Sequence, residues 1–286
     1  MSDLVDMVAA ELAEPVDPRV TAFAASIAAK YNGAARAVLF YGSCLRTRDL
    51  DGQMLDFYCI VSSYEAAYGK SWLVRANKLL PPNVFPAEHD GLVAKVAVLS
   101  EADFHRLNGP ETRNVSVWAR FAQPSRLVWC ADDSARKQAV SAVARAAPTL
   151  LAAAGSVDGE DALSWWRRAF ALTYSAELRA ERNERAASVV DADPQRYQRF
   201  SLAAMAAIAA GASSGGWGRR RIEGKLLTLA RLAKASGTYA GGIDYLAWKI
   251  NRHAGTDYVI KPWQRRWPIL GALTMLPRMI KGGAVK

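Results

Sequence analysis

An apolar run from Ala37 to Tyr41 ends in Gly42-Ser43, and a second apolar run, Met54 to Val61, carries Asp56 near its head. A Gly-Ser turn lets backbone amides and a hydroxyl approach a triphosphate, and an acid on the neighbouring strand can hold a magnesium ion bridging it. The chemistry suited to that arrangement is transfer from a nucleoside triphosphate. A plain structural reading stands beside it on spacing alone, because Gly-Ser turns are common and a lone Asp can cap a turn. A strand built to hold metal for this reaction usually places two acids one residue apart, on the same face. Here the second place is Tyr58. Asp49, Asp51, Glu88 and Asp90 compete for the missing ligand: Asp51 in a loop just before the strand, Glu88 after Pro86 in a loop able to reach over the site.

Phosphate needs cations as well as metal. Lys95 lies within the strand-like Val93 to Val98, and a cation among apolar residues is costly to bury without a partner. A phosphate would satisfy it, as would an ion pair with Asp56. Arg120 follows Trp118 in an apolar and aromatic stretch, and its planar fork suits bidentate phosphate binding, stacking on Trp118 or a structural carboxylate equally.

These residues need a sheet to hold them. Val38 to Tyr41, Leu55 to Val61, Leu92 to Leu99 and Leu127 to Ala131 read as strands, with helices over Thr21 to Tyr31 and Ser71 to Leu80, the latter stopped by Pro81-Pro82. The pattern changes near residue 135. Ala-rich helical segments follow about Ala135 to Ala153, Asp161 to Glu184 and Gln195 to Ala212. A Ser-Gly turn at Ser213 to Gly216 precedes a basic helix, Arg219 to Ala235, and Ile243 to His253 reads as one more. The expectation is an α+β chain: a mixed sheet with flanking helices over residues 1–134, a helical, winged-helix-like domain over 135–258, and a C-terminal segment over 259–286. Such helical modules bind DNA in some proteins and serve only packing in others, and packing is the expectation here.

The chain has 286 residues, half of them apolar, enough for a substantial core in about two domains. Its net charge of +10 favours an anionic partner: nucleotide, nucleic acid or anionic lipid. Cys44, Cys59 and Cys130 are odd in number and lack metal-ligand spacing, so reduced thiols are expected, and the three histidines show no zinc pattern. An acidic start and the lack of any apolar stretch near the roughly 20 residues of a spanning helix lead to the expectation of a soluble or peripheral protein facing the cytoplasm. The C-terminal segment fits the peripheral alternative. Trp263, Arg265, Arg266 and Trp267 precede an apolar run too short to span, which is what a helix lying among headgroups needs.

Several short motifs occur in order: Phe40-Tyr41-Gly42-Ser43-Cys44, Gln53-Met54-Leu55-Asp56-Phe57, Trp72 with Ala76-Asn77-Lys78, Ala94-Lys95-Val96-Ala97-Val98, and Trp118-Ala119-Arg120-Phe121-Ala122-Gln123-Pro124. Together they resemble the mitochondrial-type phosphatidate cytidylyltransferases, the translocator assembly and maintenance family. The likeness covers residues 37 to 130 well and the helical half loosely. It implies a nucleotidyltransferase domain joined to a winged-helix-like domain, a C-terminal helix at a membrane, and magnesium-dependent transfer of CMP from CTP to phosphatidic acid in phospholipid biosynthesis. The products are CDP-diacylglycerol and pyrophosphate, and the expected location is the cytoplasmic face of the inner membrane, peripherally attached. The resemblance also suggests Lys78 as a phosphate contact. Asp56 is then the metal acid, with Asp51 or Glu88 as second ligand and Lys95 beside it in catalysis, while Gly42, Ser43 and Arg120 bind nucleotide phosphates.

Two alternatives stay open. One is a transferase of the same fold acting on a soluble or nucleic-acid acceptor, with Arg219 to Lys234 as a phosphate track, although the tryptophans speak for lipid and against nucleic acid. The other is a non-catalytic nucleotide- or lipid-binding protein, because Tyr58 stands where an acid is usual.

Overall fold

The computed structural model describes residues 2–177, 189–208, 214–238 and 259–266, together with Gly271 and Thr274. Five strands form one mixed sheet in the order β3-β4-β2-β1-β5: β1 Ala35–Tyr41, β2 Met54–Val61, β3 Asn83–His89, β4 Leu92–Ser100 and β5 Ser125–Cys130. Only the β2–β4 pairing is parallel. The expected strands are all present. The addition is β3, which includes Glu88, expected in a loop; Glu88 instead pairs with Val93 in the β3–β4 ladder and is exposed. Pro86 is a residue that sequence patterns set outside strands, but β3 is an edge strand, where a proline is tolerated because one side of the strand has no partner to bond.

Side chains alternate across β1, β2 and β4, giving the sheet two apolar faces. Val38, Phe40, Phe57, Val96 and Val98 pack against Phe23 and Ile27 of α2, Pro18–Ala29. Leu39, Tyr58, Ile60 and Leu99 form the second core with Trp118, Leu150, Trp166 and Phe170 from the helices that follow. One core therefore runs from the sheet into the helical half, and the composition change near residue 135 does not divide it. The N-terminal helix α1, Ser2–Leu12, also joins that core through Leu4, Val8 and Leu12.

Between the strands lie α3 Ser43–Thr47, α4 Tyr64–Ala67, α5 Ser71–Leu79, α6 Glu101–Asn108 and α7 Trp118–Phe121. The helical half comprises α8 Asp133–Ala144, α9 Ala146–Ala154, α10 Ala162–Ala176, α11 Pro194–Ala206, α12 Trp217–Thr238 and α13 Pro262–Arg266. Aspartates cap several of these helices, as the sequence invites: Asp132 accepts from the Ala135 amide, Asp161 from Leu163 and Ser164, and Asp193 from Arg196 ahead of Pro194 at the first turn. Among the described residues after Cys130 there is no strand. The expected helix Ile243 to His253 and Trp267 lie outside the described residues.

A buried ion pair fixes the helical half to the end of α7. Arg196 of α11 donates to Glu11 of α1 (Nη2 to Oε1, 2.9 Å) and to the Ala122 carbonyl (3.1 Å), with both charged side chains almost fully enclosed. Such a pair costs desolvation that its own hydrogen bonds must offset, so its main effect is to specify geometry. Here it holds the segment that carries Arg120.

Candidate active site

The register of the sheet assembles the site. Tyr41 pairs with Asp56 across β1 and β2, and Asp56 pairs with Lys95 across β2 and β4. The chain leaves β1 directly into Gly42, so the Gly-Ser turn sits beside Asp56. Gly42 has φ +95°, and a Cβ there would lie 2.9 Å from Asp56 Oδ2. Both the backbone conformation and the close approach require glycine.

Gly42, Ser43, Asp56, Lys95 and Arg120 all line one cavity of about 510 Å³, well within the usual size of small-molecule sites. Its walls come from the ends of β1 and β2, from β4, from α7, from Glu177 just after α10, and from α12. Among the described residues five cations line it, Arg46, Lys95, Arg120, Arg231 and Lys234, against two carboxylates, Asp56 and Glu177. That surplus suits a polyanion. A larger cavity of about 730 Å³ beside α6 and α8 is lined mainly by small side chains, with Glu101, His105 and Lys137 as its charged or titratable members. Among the described residues no such convergence lines it.

Arg120 is positioned rather than free. Its guanidinium donates to the Ser116 carbonyl and lies 3.4 Å from Glu177 Oε1. Burial disfavours its charge, but Glu177, then Tyr58, Tyr41 and Asp56, outweigh that and hold it protonated. The Ser116 hydroxyl accepts from Arg231 Nη1 at 2.9 Å, so one residue sets two guanidiniums side by side.

Tyr58 shares its face with Asp56 but is only 3 % exposed. Its ring packs on Phe121, centroids 5.1 Å apart, and Tyr41, 5.3 Å apart. Burial raises its phenol pKa, so it stays neutral and serves as a packing group rather than a second anionic ligand.

The suggested second ligands lie elsewhere. Asp51 is largely exposed and accepts from Arg19 Nη1 at 2.8 Å, while Glu88 is on the edge strand; neither lines the cavity. The second carboxylate there is Glu177, which no local motif signals. Lys78 is also outside the cavity, paired with Glu65 on the surface, and its neighbour Asn77 is fully buried, donating to Val98 O and Tyr68 Oη. Among the described residues no three His, Cys, Asp or Glu side chains gather as a metal site. Magnesium needs less than that when a substrate brings phosphate oxygens, because one or two carboxylates then suffice. Asp56, beside the Gly42 cradle, fits that requirement.

The basic helix Arg219 to Lys234, read from the sequence only as a phosphate track for another acceptor, lines this cavity as part of α12. Gly224, Thr228, Arg231 and Ala235 recur at helical spacing, a small-residue face interrupted by a cation, which is a sign of an inward-facing stripe. Gly224 packs against α10 so closely that a Cβ would lie 2.2 Å from the Ala176 carbonyl oxygen. Gly224→Ala is therefore expected to displace α12, lowering stability by about 1–3 kcal/mol and weakening anion binding in the cavity. Thermal melting and nucleotide titration of the variant check both. Arg219, Arg221 and Lys225 face solvent while Arg231 and Lys234 line the cavity, so the basic residues of this helix do not make one continuous outer track.

No protein-family model matches the chain, and no curated protein matches it significantly.

Proposed function

We propose that the protein is a magnesium-dependent CTP:phosphatidate cytidylyltransferase of the nucleotidyltransferase fold, working at the cytoplasmic face of the inner membrane. The observation that carries this reading is the convergence of Gly42, Ser43, Asp56, Lys95 and Arg120 on one strongly cationic cavity. CTP and phosphatidic acid by name come from the motif resemblance in residues 37 to 130, which also suggests a winged-helix-like character for the helical half.

The reaction asks little of a general base. A phosphate oxygen of phosphatidic acid, already anionic near neutral pH, attacks the α-phosphorus of CTP. The new P–O bond forms as the bond to the bridging oxygen of the β-phosphate breaks, and pyrophosphate leaves with that electron pair. The barrier is the approach of two polyanions and the charge on the leaving group, which fixed cations lower. Gly42 and Ser43 orient the triphosphate, and Lys95 and Arg120 offset its charge. Asp56 would hold magnesium, which when bound supplies further neutralisation of the phosphates.

Titration of CTP, UTP and ATP into the protein, with and without magnesium, tests the nucleotide half of the proposal. Magnesium-dependent binding that prefers CTP supports it. Absence of nucleotide binding with retained lipid binding would favour the non-catalytic alternative, whose support is Tyr58 in the usual place of an acid.

The membrane half rests on the C-terminal segment. Val259, Trp263, Arg265 and Arg266 are exposed while Ile260 and Gln264 are buried, so α13 offers an aromatic and two cations on its outer side. Among the described residues no helix is long and apolar enough to cross a membrane. Removing Trp263, Arg265 and Arg266 together is expected to weaken partition onto anionic vesicles by about tenfold or more, since each cation near such a surface is worth about 1 kcal/mol. Co-sedimentation at low and high salt reads this out, and the difference should shrink at high salt.

A further inference from the structure

The cavity has a cationic wall that the Gly-Ser turn and Asp56 do not use. On α12, Lys234 donates its ammonium protons to the carbonyls of Leu80 and Pro82, the latter at 2.7 Å, and Arg231 donates from Nε to the Pro81 carbonyl at 2.9 Å and from Nη1 to Ser116 Oγ. Among the described residues neither cation is in an ion pair with a carboxylate; Glu177, paired with Arg120, acts on Arg231 only from farther away and does not outweigh its burial. Two cations are thus held side by side, largely desolvated, by neutral carbonyls and one hydroxyl. Burial, and then the charge of Arg231, pull the Lys234 ammonium down to about 7. Desolvation and the neighbouring positive charge both disfavour the Lys234 ammonium, and an anion seated between the two side chains would offset both.

We propose that Arg231 and Lys234 form the seat for the phosphate of the second substrate, a phosphomonoester, on the α12 wall of the cavity and separate from the Gly42-Ser43 turn. The inference rests on the nucleotidyl-transfer reading for the word "second", but not for the seat itself. Two polyanions in one cavity need two sets of positive groups, and the sheet already supplies the first with Lys95 and the turn. Arg231 retains N–H groups beyond the two it commits, and Lys234 a third proton, so both can still donate to phosphate oxygens. On the side of β3 and the end of α12 the lining includes the apolar Pro82, Val84 and Ala235, which suits the ester side of a phosphate better than a ribose or a base.

A crystal structure of the full wild-type chain with glycerol 3-phosphate, and one with dihexanoyl phosphatidic acid, test the seat directly. The expected result places the phosphate within hydrogen-bond distance of Lys234 Nζ and the Arg231 guanidinium. Density for it only at the Gly42-Ser43 turn would overturn the proposal. Comparison of the two ligands separates a free phosphomonoester from a lipid headgroup as the natural source.

Lys234→Gln and Arg231→Gln supply the solution test, because glutamine removes the charge while keeping donors for the carbonyls. Each should weaken phosphomonoester binding about tenfold or more, leave CTP binding within about twofold, and keep a cooperative melt, with Lys234→Arg restoring much of the affinity. Unchanged phosphomonoester affinity, or an equal loss of CTP affinity, contradicts the assignment. If the wild type transfers no CMP but still seats the phosphomonoester on α12, the reaction is wrong and the seat stands. If Lys234→Gln turns over with an unaltered acceptor KM, the seat is wrong and the reaction stands.

Discussion

Asp56→Asn is expected to lower CMP transfer by about 10³-fold or more while leaving the fold intact, a loss of about 4 kcal/mol of transition-state stabilisation. The substitution is nearly isosteric and the side chain is only partly buried, so packing in β2 should persist. What disappears is the negative charge on the cavity face of that strand. Tyr58 cannot replace it, since it is enclosed by Tyr41 and Phe121 and its phenol stays protonated. Glu177 is committed to Arg120. Rates in the presence of saturating magnesium, with a thermal melt as control, decide the matter. A variant that keeps even a tenth of the wild-type rate would mean that Asp56 is a structural acid.

Gly42→Ala should come next in size, with nucleotide affinity reduced by about 10²-fold. An L-residue at φ +95° costs on the order of 1–2 kcal/mol. The added methyl also meets the Asp56 carboxylate at 2.9 Å, so either the turn or the carboxylate must move. Either movement spoils the juxtaposition that phosphate and metal require. The expected signature is loss of CTP binding, measured by titration, together with a modest fall in melting temperature. A variant that binds CTP as the wild type does would show that the turn is a connection and not a cradle.

The strands that carry the site were legible because they are buried on both faces and read as apolar runs, against which Asp56 and Lys95 stand out. Their meeting was legible too, as a choice between phosphate and ion pair, and the β2–β4 register now sets them in adjacent strands. What local pattern could not convey is what long-range pairing decides. Glu177 and Arg231 reach the cavity only because α10 and α12 cross at Gly224, and Lys234 only because the 80–82 carbonyls are waiting for it. The same limit explains Lys78. It follows a buried Asn77 on a helix whose outer side meets Glu65, and nothing in its neighbours reveals that it turns away from the cavity. The edge strand β3 was hidden by Pro86, whose cost depends on whether the strand has a neighbour on that side.

The division of the chain shows the same thing at larger scale. Composition changes near residue 135, yet α1 and one face of the sheet share a core with the helical half, and the Glu11–Arg196 pair ties them together. The cavity is built across that shared core, which is why neither half alone spells out the site.

The most direct test of the central claim is transfer of label from α-labelled CTP into the lipid fraction, with magnesium and vesicles that contain or lack phosphatidic acid. Labelled CDP-diacylglycerol is expected from the wild type only when phosphatidic acid and magnesium are both present. Vesicle binding with no labelled lipid under those conditions would contradict it.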